Sequence, residues 1–167
     1  LLMEDEAKEI LALRGVPVTP CLVARTEDEA VKAAGETGYP AVLKVRSPKI
    51  IHKSDTGGVC LNIPGEASLR AAYRDIKEKT AARDPEALVL VQKMAERGLE
   101  VLVGVTTDKQ FGPVVAFGLG GVFTEILKDV SFRLAPVDEA EAVRMIRQIK
   151  GSRLFDGYRG TPAVDTG

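Results

Sequence analysis

The pattern of apolar and polar positions in the first part of the chain predicts helices and strands in turn. The opening segment has apolar residues at helical spacing, at Met3, Ala7, Ile10 and Leu11. Gly15 ends this predicted helix, and the stretch VPVTPCLVA that follows is typical of a short strand. Thr26 and Glu29 have the spacing of a capping box, which predicts a second helix that ends near Gly38.

The next segments continue this order of elements. YPAVLKV predicts a strand, and a loop over residues 47–58 leads into VCLNI. In VCLNI the alternation of Val59, Leu61 and Ile63 with the residues between them predicts a strand with one apolar face. A helix with an apolar face is predicted from about residue 66 to residue 82.

Strands dominate the rest of the sequence. ALVLVQKM, LEVLVGV and PVVAFGL are apolar stretches joined by short polar turns, and this arrangement predicts an antiparallel meander. VSFRLAPV predicts one more strand, and Asp138 with Glu141 caps a last helix that ends at Gly151. We therefore expect an α+β protein of two lobes, residues 1–95 and 96–167, with a cleft between them.

Composition and charge narrow the classes of protein. The chain has 167 residues with 23 Lys and Arg against 24 Asp and Glu, so its net charge of -1 favours neither nucleic acid nor an anionic membrane as a partner. Cys21 and Cys60 are too few for a disulfide framework and form no C-x-x-C pair, which is typical of a reducing cytoplasm. The apolar stretches are strand-sized, so we expect a cytoplasmic protein without a membrane span. The chain starts at Leu1 and ends in TPAVDTG, and we expect it to be part of something longer.

Two cations share one face of the strand YPAVLKV. Lys44 and Arg46 alternate with the apolar residues of the opposite face, so both point away from the apolar side. Such a face could bind phosphate in a cleft, or it could simply be solvated. The loop SPKIIHKSDTGG adds Lys49 and Lys53, together with a pair of glycines, Gly57 and Gly58, that could let backbone N–H groups converge on an anion. Neither a Walker A loop nor a G-x-G-x-x-G fingerprint is present in the sequence.

His52 is the single histidine of the chain and lies in this basic loop. A surface histidine without a role is one interpretation, and a phosphorylated imidazole whose charge the neighbouring lysines stabilise is the other. Glu100, between Leu99 and Val101 in a predicted strand, needs a partner, which could be Arg97, Lys93 or a ligand hydroxyl.

One more pair of carboxylates is a candidate for chemistry. Glu125 and Asp129 lie four residues apart, close to Lys128 and Arg133. They could bind a metal, but salt-bridged turn residues are the favoured interpretation.

Taken together, five segments resemble one family. GYPAVLK, IHKSDTGGV, VLVQKMAERGLEVLVGV, FGPVVAFGLGGVFTEILKDVSFRLAPV and GYRGTPAVD, in this order, are similar to the ATP-grasp domain of ADP-forming acyl-CoA synthetases. The resemblance implies an ATP-grasp fold, cut short at its C-terminus, in an enzyme that converts an acid, ATP and CoA into acyl-CoA, ADP and phosphate through phosphohistidine. It also implies a partner subunit or fused domain that binds CoA and carries the other catalytic histidine.

The resemblance also implies roles for individual residues. His52 resembles the phosphoryl carrier of this subunit. The residues that resemble nucleotide contacts are Lys44, Lys53, Ser54, Gly57 and Gly58 at the phosphates, Gln92, Lys93 and Met94 beside adenine, and Glu100 at the ribose. Mg²⁺ is expected with ATP or ADP in a complete domain, but the family's Asp-x-Asn-Pro motif and the further Asp that hold it are not in this sequence. A regulatory ATP-grasp module fused to a protein acetyltransferase is the alternative, and the presence of His52 favours the enzyme.

Overall fold

The structure is a computed structural model that describes residues 2–121, 129–158, 160 and 162–166. It divides into two compact units, residues 1–96 and 97–167. Each unit is built around its own antiparallel sheet. The interpretation of residues 1–95 and 96–167 as ATP-grasp lobes stays a prediction.

The first unit has three helices on a four-stranded sheet. Its elements in chain order are α1 (Glu4–Leu13), β1 (Cys21–Ala24), α2 (Glu27–Thr37), β2 (Ala41–Arg46), β3 (Val59–Ile63), α3 (Glu66–Ala81) and β4 (Leu88–Lys93). The strand order is β1-β4-β2-β3, and every pair is antiparallel. The core lies between this sheet and the helices α2 and α3, and its largest fully buried side chains include Leu43, Leu69 and Ile76.

The expected position of β4 was wrong. It was predicted to be the first strand of the meander, next to β5, but it pairs with β1 and β2 in the middle of the first sheet. Val89, Leu90 and Val91 are fully buried there. A strand with apolar side chains on both faces is stabilised most in a central position, where both faces are covered.

Two details of the predicted apolar pattern also differ. Leu61 is 53% exposed, because the ladder between β2 and β3 shifts register and Asn62 takes a positive φ of 55°. That irregularity turns Leu61 outward and still buries Ile63. In α1, Ile10 and Leu11 are 48% and 45% exposed, so this helix does not attach through its apolar stripe.

The predicted helix start at Thr26 is confirmed. The Thr26 hydroxyl accepts a hydrogen bond from the Glu29 N–H at 3.1 Å, and the Glu29 carboxylate accepts one from the Arg25 N–H at 2.7 Å. These bonds satisfy N–H groups that the helix itself leaves unpaired. The helix α2 ends at Thr37, just before Gly38, as expected.

In the part of the second unit that the structure describes, a three-stranded meander is followed by an α-helix. Its elements are β5 (Val101–Asp108), β6 (Gly112–Leu119), β7 (Val130–Leu134), α4 (Glu139–Gln148) and a 3-10 helix over Lys150–Asp156. The antiparallel order β5-β6-β7 confirms the later part of the predicted meander. A small core joins Leu119, Ile149 and Phe155. Among the helices described, none has the length and apolar character needed to cross a membrane.

Candidate functional site

The first turn of α1 lies on the cationic face of β2. Glu4 bridges two lysines: its Oε1 is 2.6 Å from the Lys44 Nζ, and its Oε2 is 2.7 Å from the Lys53 Nζ. Lys44 comes from a strand and Lys53 from the loop that carries His52. One carboxylate therefore joins two of the predicted phosphate-contacting residues.

Arg46, the second cation on this strand face, is also paired with α1. Its Nε is 2.8 Å from Asp5 Oδ1, and its Nη2 is 3.1 Å from Glu6 Oε1. The common orientation of Lys44 and Arg46 is confirmed. The face is not simply solvated, because both cations are paired and only 24% and 21% of their side chains are exposed. The binding of phosphate on this face stays a prediction.

Gln92 belongs to the same network. It is buried in β4, and its Oε1 accepts a hydrogen bond of 2.6 Å from the Lys8 Nζ. Lys8 in turn lies 3.4 Å from Glu4 Oε1, one helical turn away. Lys44, Lys53 and Gln92, predicted separately from the sequence, are thus connected through α1.

The network changes the acidity of its carboxylates. Burial by itself raises the pKa of Glu4, but the hydrogen bonds and positive charges of Lys44 and Lys53 outweigh burial and lower the pKa to about 2. In the same way burial raises the pKa of Asp5, but the hydrogen bond and positive charge of Arg46, together with backbone hydrogen bonds, outweigh burial and leave the pKa lowered. Glu4 therefore stays ionised throughout the neutral range.

The attachment of α1 is expected to weaken in acid. Since the pKa of Glu4 is lowered from 4.5 to about 2 on folding, its contribution to stability is present above pH 4.5 and is lost as the pH falls toward 2. We expect Glu4→Gln to lower the unfolding free energy by about 1–3 kcal/mol at pH 6, on the scale of hydrogen bonds to charged groups, and by much less at pH 2.5. Thermal unfolding at both pH values measures this, with Glu9→Gln on the exposed side of α1 as the control. An equal loss at both pH values would contradict it.

The His52 loop is fastened at both ends. At its start the buried Ser47 hydroxyl donates to Asp84 at 2.6 Å, and the Lys49 Nζ lies 3.1 Å from the same carboxylate. Ile50 is buried in the core, whereas Ile51 is 69% exposed and His52 is exposed. Lys49 was expected to face a bound anion such as phosphate, but in the structure it is paired with the carboxylate of Asp84.

The second end of the loop is a compact turn. Its 3-10 helix covers Ser54–Thr56, and Ser54 itself is exposed. The N–H of Gly57 donates to the Ser54 carbonyl at 3.1 Å, and the N–H of Gly58 donates to the Lys53 carbonyl at 2.8 Å. The expected convergence of these glycine N–H groups on an anion is thus not found, because both are used inside the turn.

The structure gives a different reason for glycine at position 58. A Cβ there would lie 2.4 Å from Val45 Cγ1 and 3.0 Å from the Lys53 carbonyl oxygen. The loop therefore packs directly against the strand β2.

Gly58→Ala is accordingly expected to destabilise the protein by about 1–3 kcal/mol, the usual cost of overpacking. Gly35→Ala is a matched control in the same unit, because a Cβ at position 35, within α2, meets nothing within 4 Å. That control should be neutral or stabilising. Denaturant unfolding measures both, and equal stability of the two variants would contradict the packing argument.

The end of β4 lines an open pocket. Lys93 is exposed, Met94 is half-buried, and the Met94 N–H donates to the Pro40 carbonyl at 2.7 Å. A cavity of about 560 Å³ is lined by both residues and by Leu22, Thr37 and Glu96, among others. The pocket is mostly apolar at its walls, which suits a flat aromatic ring, and the adenine assignment of this segment stays a prediction.

Glu100 belongs to the second unit and differs from expectation. It lies just before β5 and is exposed, so the prediction of a carboxylate inside an apolar strand is wrong. Its carbonyl accepts a hydrogen bond of 2.7 Å from the Gly120 N–H, and a Cβ on Gly121 would lie 2.5 Å from its Oε2. An exposed carboxylate is hydrated and needs no protein partner. Its assignment to ribose stays a prediction.

The paired carboxylates proposed near the glycine-rich turn are only partly described. Glu125 and Lys128 lie outside the described residues. Asp129 accepts hydrogen bonds from the Lys150 N–H at 2.9 Å and the Gly151 N–H at 2.7 Å, which is a structural role. Within the described ranges no group of three or more His, Cys, Asp or Glu could hold a metal ion.

Sequence reasoning missed Glu4, Lys8 and Asp84. The acidic first turn of α1 is a visible signal, but it is common at helix N-termini because it complements the helix dipole. Its ion pairs span about forty residues of sequence, as with Glu4 and Lys44. Nothing in local spacing reveals such a contact.

Comparison with known proteins gives one family and several close relatives. An ATP-grasp domain family matches residues 1–167. The beta subunit of ADP-forming acetate–CoA ligase I from Pyrococcus furiosus is 52% identical over 98% of this chain and 72% of its own length. ADP-forming acetate–CoA ligase II from Archaeoglobus fulgidus is 46% identical over 95% of this chain, which spans only 23% of that longer protein.

Solved structures agree with these matches. Acetyl-coenzyme A synthetase 1 from Ca. Korarchaeum cryptofilum, in complex with coenzyme A and Ca-AMPCP, superposes with a TM-score of 0.94 at 47% identity. The match covers 98% of this chain and 73% of that one. A second structure of that synthetase, with Mg-AMPPCP and a phosphohistidine segment that points towards the nucleotide site, gives a TM-score of 0.83 at 45% identity over 99% of this chain and 71% of that one.

Proposed function

The chain belongs to the ATP-grasp family, and from this premise we propose that it binds the nucleotide in an ADP-forming acyl-CoA synthetase. Such an enzyme converts a carboxylic acid, ATP and CoA into acyl-CoA, ADP and phosphate. The chain corresponds to the nucleotide-binding region of a beta subunit, and it spans 72% of one relative and 23% of another. The activity of the whole enzyme is therefore part of the proposal.

The observation that carries the proposal is the bridge at Glu4. Lys44 and Lys53 approach one anionic group to 2.6 and 2.7 Å, from two different segments of the first unit. Two phosphate oxygens could be held in the same way, because Lys donates charge-assisted hydrogen bonds to carboxylate and phosphate alike. This geometry supports Lys44 and Lys53 as phosphate contacts.

His52 is the phosphoryl carrier in this proposal. A neutral imidazole nitrogen attacks the γ-phosphorus of ATP, the new P–N bond forms as the bond to the β,γ-bridging oxygen breaks, and ADP leaves with that oxygen. His52 is exposed, and its neighbour Lys53 lies in the cationic network. The exposed position leaves the imidazole accessible to a nucleotide and to a partner.

Mg²⁺ accompanies the nucleotide in the Korarchaeum structure with Mg-AMPPCP. When bound, the ion would neutralise charge on the phosphates. The described residues offer no cluster of metal-binding side chains, so their own part is to bind the phosphates and to present the imidazole.

The partner and the location complete the proposal. We infer a subunit or fused domain that binds CoA and carries its own histidine, because the relatives are either beta subunits or longer chains. The free thiols of Cys21 and Cys60 are in keeping with a cytoplasmic enzyme. The relatives described above are ligases, which supports the enzyme over a regulatory module of an acetyltransferase.

The test is reconstitution. The full-length protein is combined with the CoA-binding partner encoded nearest to it, and acetate, ATP, Mg²⁺ and CoA are added. We expect stoichiometric ADP, phosphate and acyl-CoA. If the protein binds no ATP by calorimetry, the proposal is wrong. If it binds ATP but the assembled protein shows no turnover, the result favours the alternative of a regulatory module fused to an acetyltransferase.

A further inference from the structure

The carboxylate of Glu4 occupies the position between two lysines that the proposed function assigns to phosphate. Its two oxygens each take one lysine, at 2.6 and 2.7 Å. A phosphate group that approached both lysines would have to enter the same space. Two anions at one pair of cations repel each other and compete for the same N–H donors.

The position is open to exchange. The side chains of Glu4, Lys44 and Lys53 are 22%, 24% and 24% exposed, so solvent and a ligand reach them. A fully enclosed bridge would instead be a fixed part of the core. Partly exposed pairs contribute modest free energy, and a polyphosphate with higher charge can replace a single carboxylate.

The helix α1 also offers Glu4 a second place. Lys8, one turn along the helix, lies 3.4 Å from Glu4 Oε1 and can keep the carboxylate paired after it leaves the other lysines. Asp5 and Glu6 hold Arg46 independently, so the helix stays attached while Glu4 moves. Glu4 can therefore leave the two lysines and stay paired with Lys8. Its displacement does not require α1 to detach from the sheet.

We propose, on the basis of the proposed function, that Glu4 is an internal competitor of the nucleotide: it fills the phosphate position between Lys44 and Lys53 in the nucleotide-free protein and is displaced by the polyphosphate. Glu4 then sets the affinity for nucleotide. Because Lys53 adjoins His52, the displacement also removes one attachment of the histidine loop. Glu4 competes only with phosphate groups, so it should not affect the affinity for a nucleoside, which has none.

The opposite role for Glu4 predicts the opposite sign. If Glu4 stayed in place and oriented the two lysines towards a phosphate beside it, its removal would weaken nucleotide binding. A purely structural role would change the affinities for ATP and adenosine together. The direction of the change and its dependence on phosphate therefore separate the three cases.

The experiment is calorimetric titration of the full-length protein with ATP and with adenosine, each in Mg²⁺. Glu4→Gln keeps the length of the side chain and removes its charge, and we expect ATP to bind about five- to tenfold more tightly, on the scale of a partly exposed charged contact. Adenosine affinity should stay unchanged. Glu4→Asp, whose carboxylate lies one methylene closer to the backbone and is drawn back from the two lysines, should give an intermediate ATP affinity and provides a second variant.

Glu9→Gln is the control, since it removes the same charge from an exposed position of the same helix and should leave ATP affinity within about twofold. Unchanged or weaker ATP binding by Glu4→Gln overturns the inference, as does an equal gain for adenosine. If the wild-type protein binds no ATP, the proposed function falls and this inference falls with it. If the wild type binds ATP and only the gain is missing, the proposed function stands.

Discussion

Replacing His52 with Asn is expected to reduce acyl-CoA formation by the assembled enzyme at least about a thousandfold, because the nucleophile is removed and no second route to phosphoryl transfer remains. ATP affinity should change less than about twofold, since Asn retains polar groups and the loop is held by other residues. Those residues are Ser47, Asp84 and Ile50 at one end and Gly58 at the other. The variant thus separates chemistry from binding.

The measurement is acid-labile ³²P incorporation from γ-labelled ATP, with the label located by peptide mass spectrometry, beside the steady-state rate. Ile51→Ala is the matched control: this neighbour is 69% exposed and its replacement leaves the imidazole in place. The control should incorporate label at the parental level. Turnover of His52→Asn at the parental rate would show that the carrier assignment is wrong.

The second large effect is expected at Lys44. Lys44→Ala should weaken ATP binding by about 1.5–3 kcal/mol, the scale of a hydrogen bond to a charged group, which corresponds to a Kd raised roughly ten- to 150-fold. Adenosine binding should change little, because the lysine lies at the phosphates in this proposal. Calorimetry on the full-length protein measures both affinities, and an unchanged Kd for ATP would remove Lys44 from the site.

The loss of ATP affinity caused by Lys44→Ala should depend on whether Glu or Gln stands at position 4. In the wild type, Lys44 must give up its contact with Glu4, at 2.6 Å, when it binds phosphate. Part of the binding free energy of the new Lys44–phosphate contact only replaces what the Glu4 contact provided. In a Glu4→Gln protein no ion pair with Lys44 has to be given up for phosphate, so Lys44→Ala should weaken ATP binding more there. A double-mutant cycle for ATP affinity measures the difference. Additive effects would mean that Glu4 and phosphate do not compete for this lysine.

Local signals in the sequence predicted the elements well. The caps at Thr26 and Asp138 are confirmed, since each accepts a hydrogen bond from an N–H only three residues ahead. Information of this kind lies within one turn of helix. The positions of α1, α2, α3 and most strands follow from the same short-range periodicity.

Contacts between residues that are far apart in the sequence were harder to predict. The pairing of β4 was predicted wrongly, because its partners, β1 and β2, are distant in sequence while β5 is adjacent. The exposure of Leu61 depends on the backbone of Asn62, which alternation alone does not reveal. The attachment of α1 through Glu4 and Asp5 needs a folded sheet before its partners exist.

The candidate site shows the same division. Lys44 and the basic loop could be recognised from their spacing and from a family resemblance, because each lies in a continuous stretch of sequence. The network that connects Lys44, Lys53 and Gln92 could not be recognised from the sequence. Glu4 and Lys8 make these connections, and both belong to the N-terminal helix. The reason for glycine at position 58 is likewise a contact with β2.

The burial of Ile50 limits how far a phosphoryl group on His52 can travel. Two residues of fully extended chain span at most about 7 Å, so the Cα of His52 stays within that radius of Ile50 wherever the loop turns. While Ile50 keeps its place in the core, at 3% exposure, delivery is confined to acceptors around that sphere. A more distant acceptor requires Ile50 to leave the core, at a cost of about 1.5–3 kcal/mol of lost burial. Transfer over a long distance would then carry a barrier from hydrophobic packing as well as from chemistry, and a smaller side chain at position 50 would lower it.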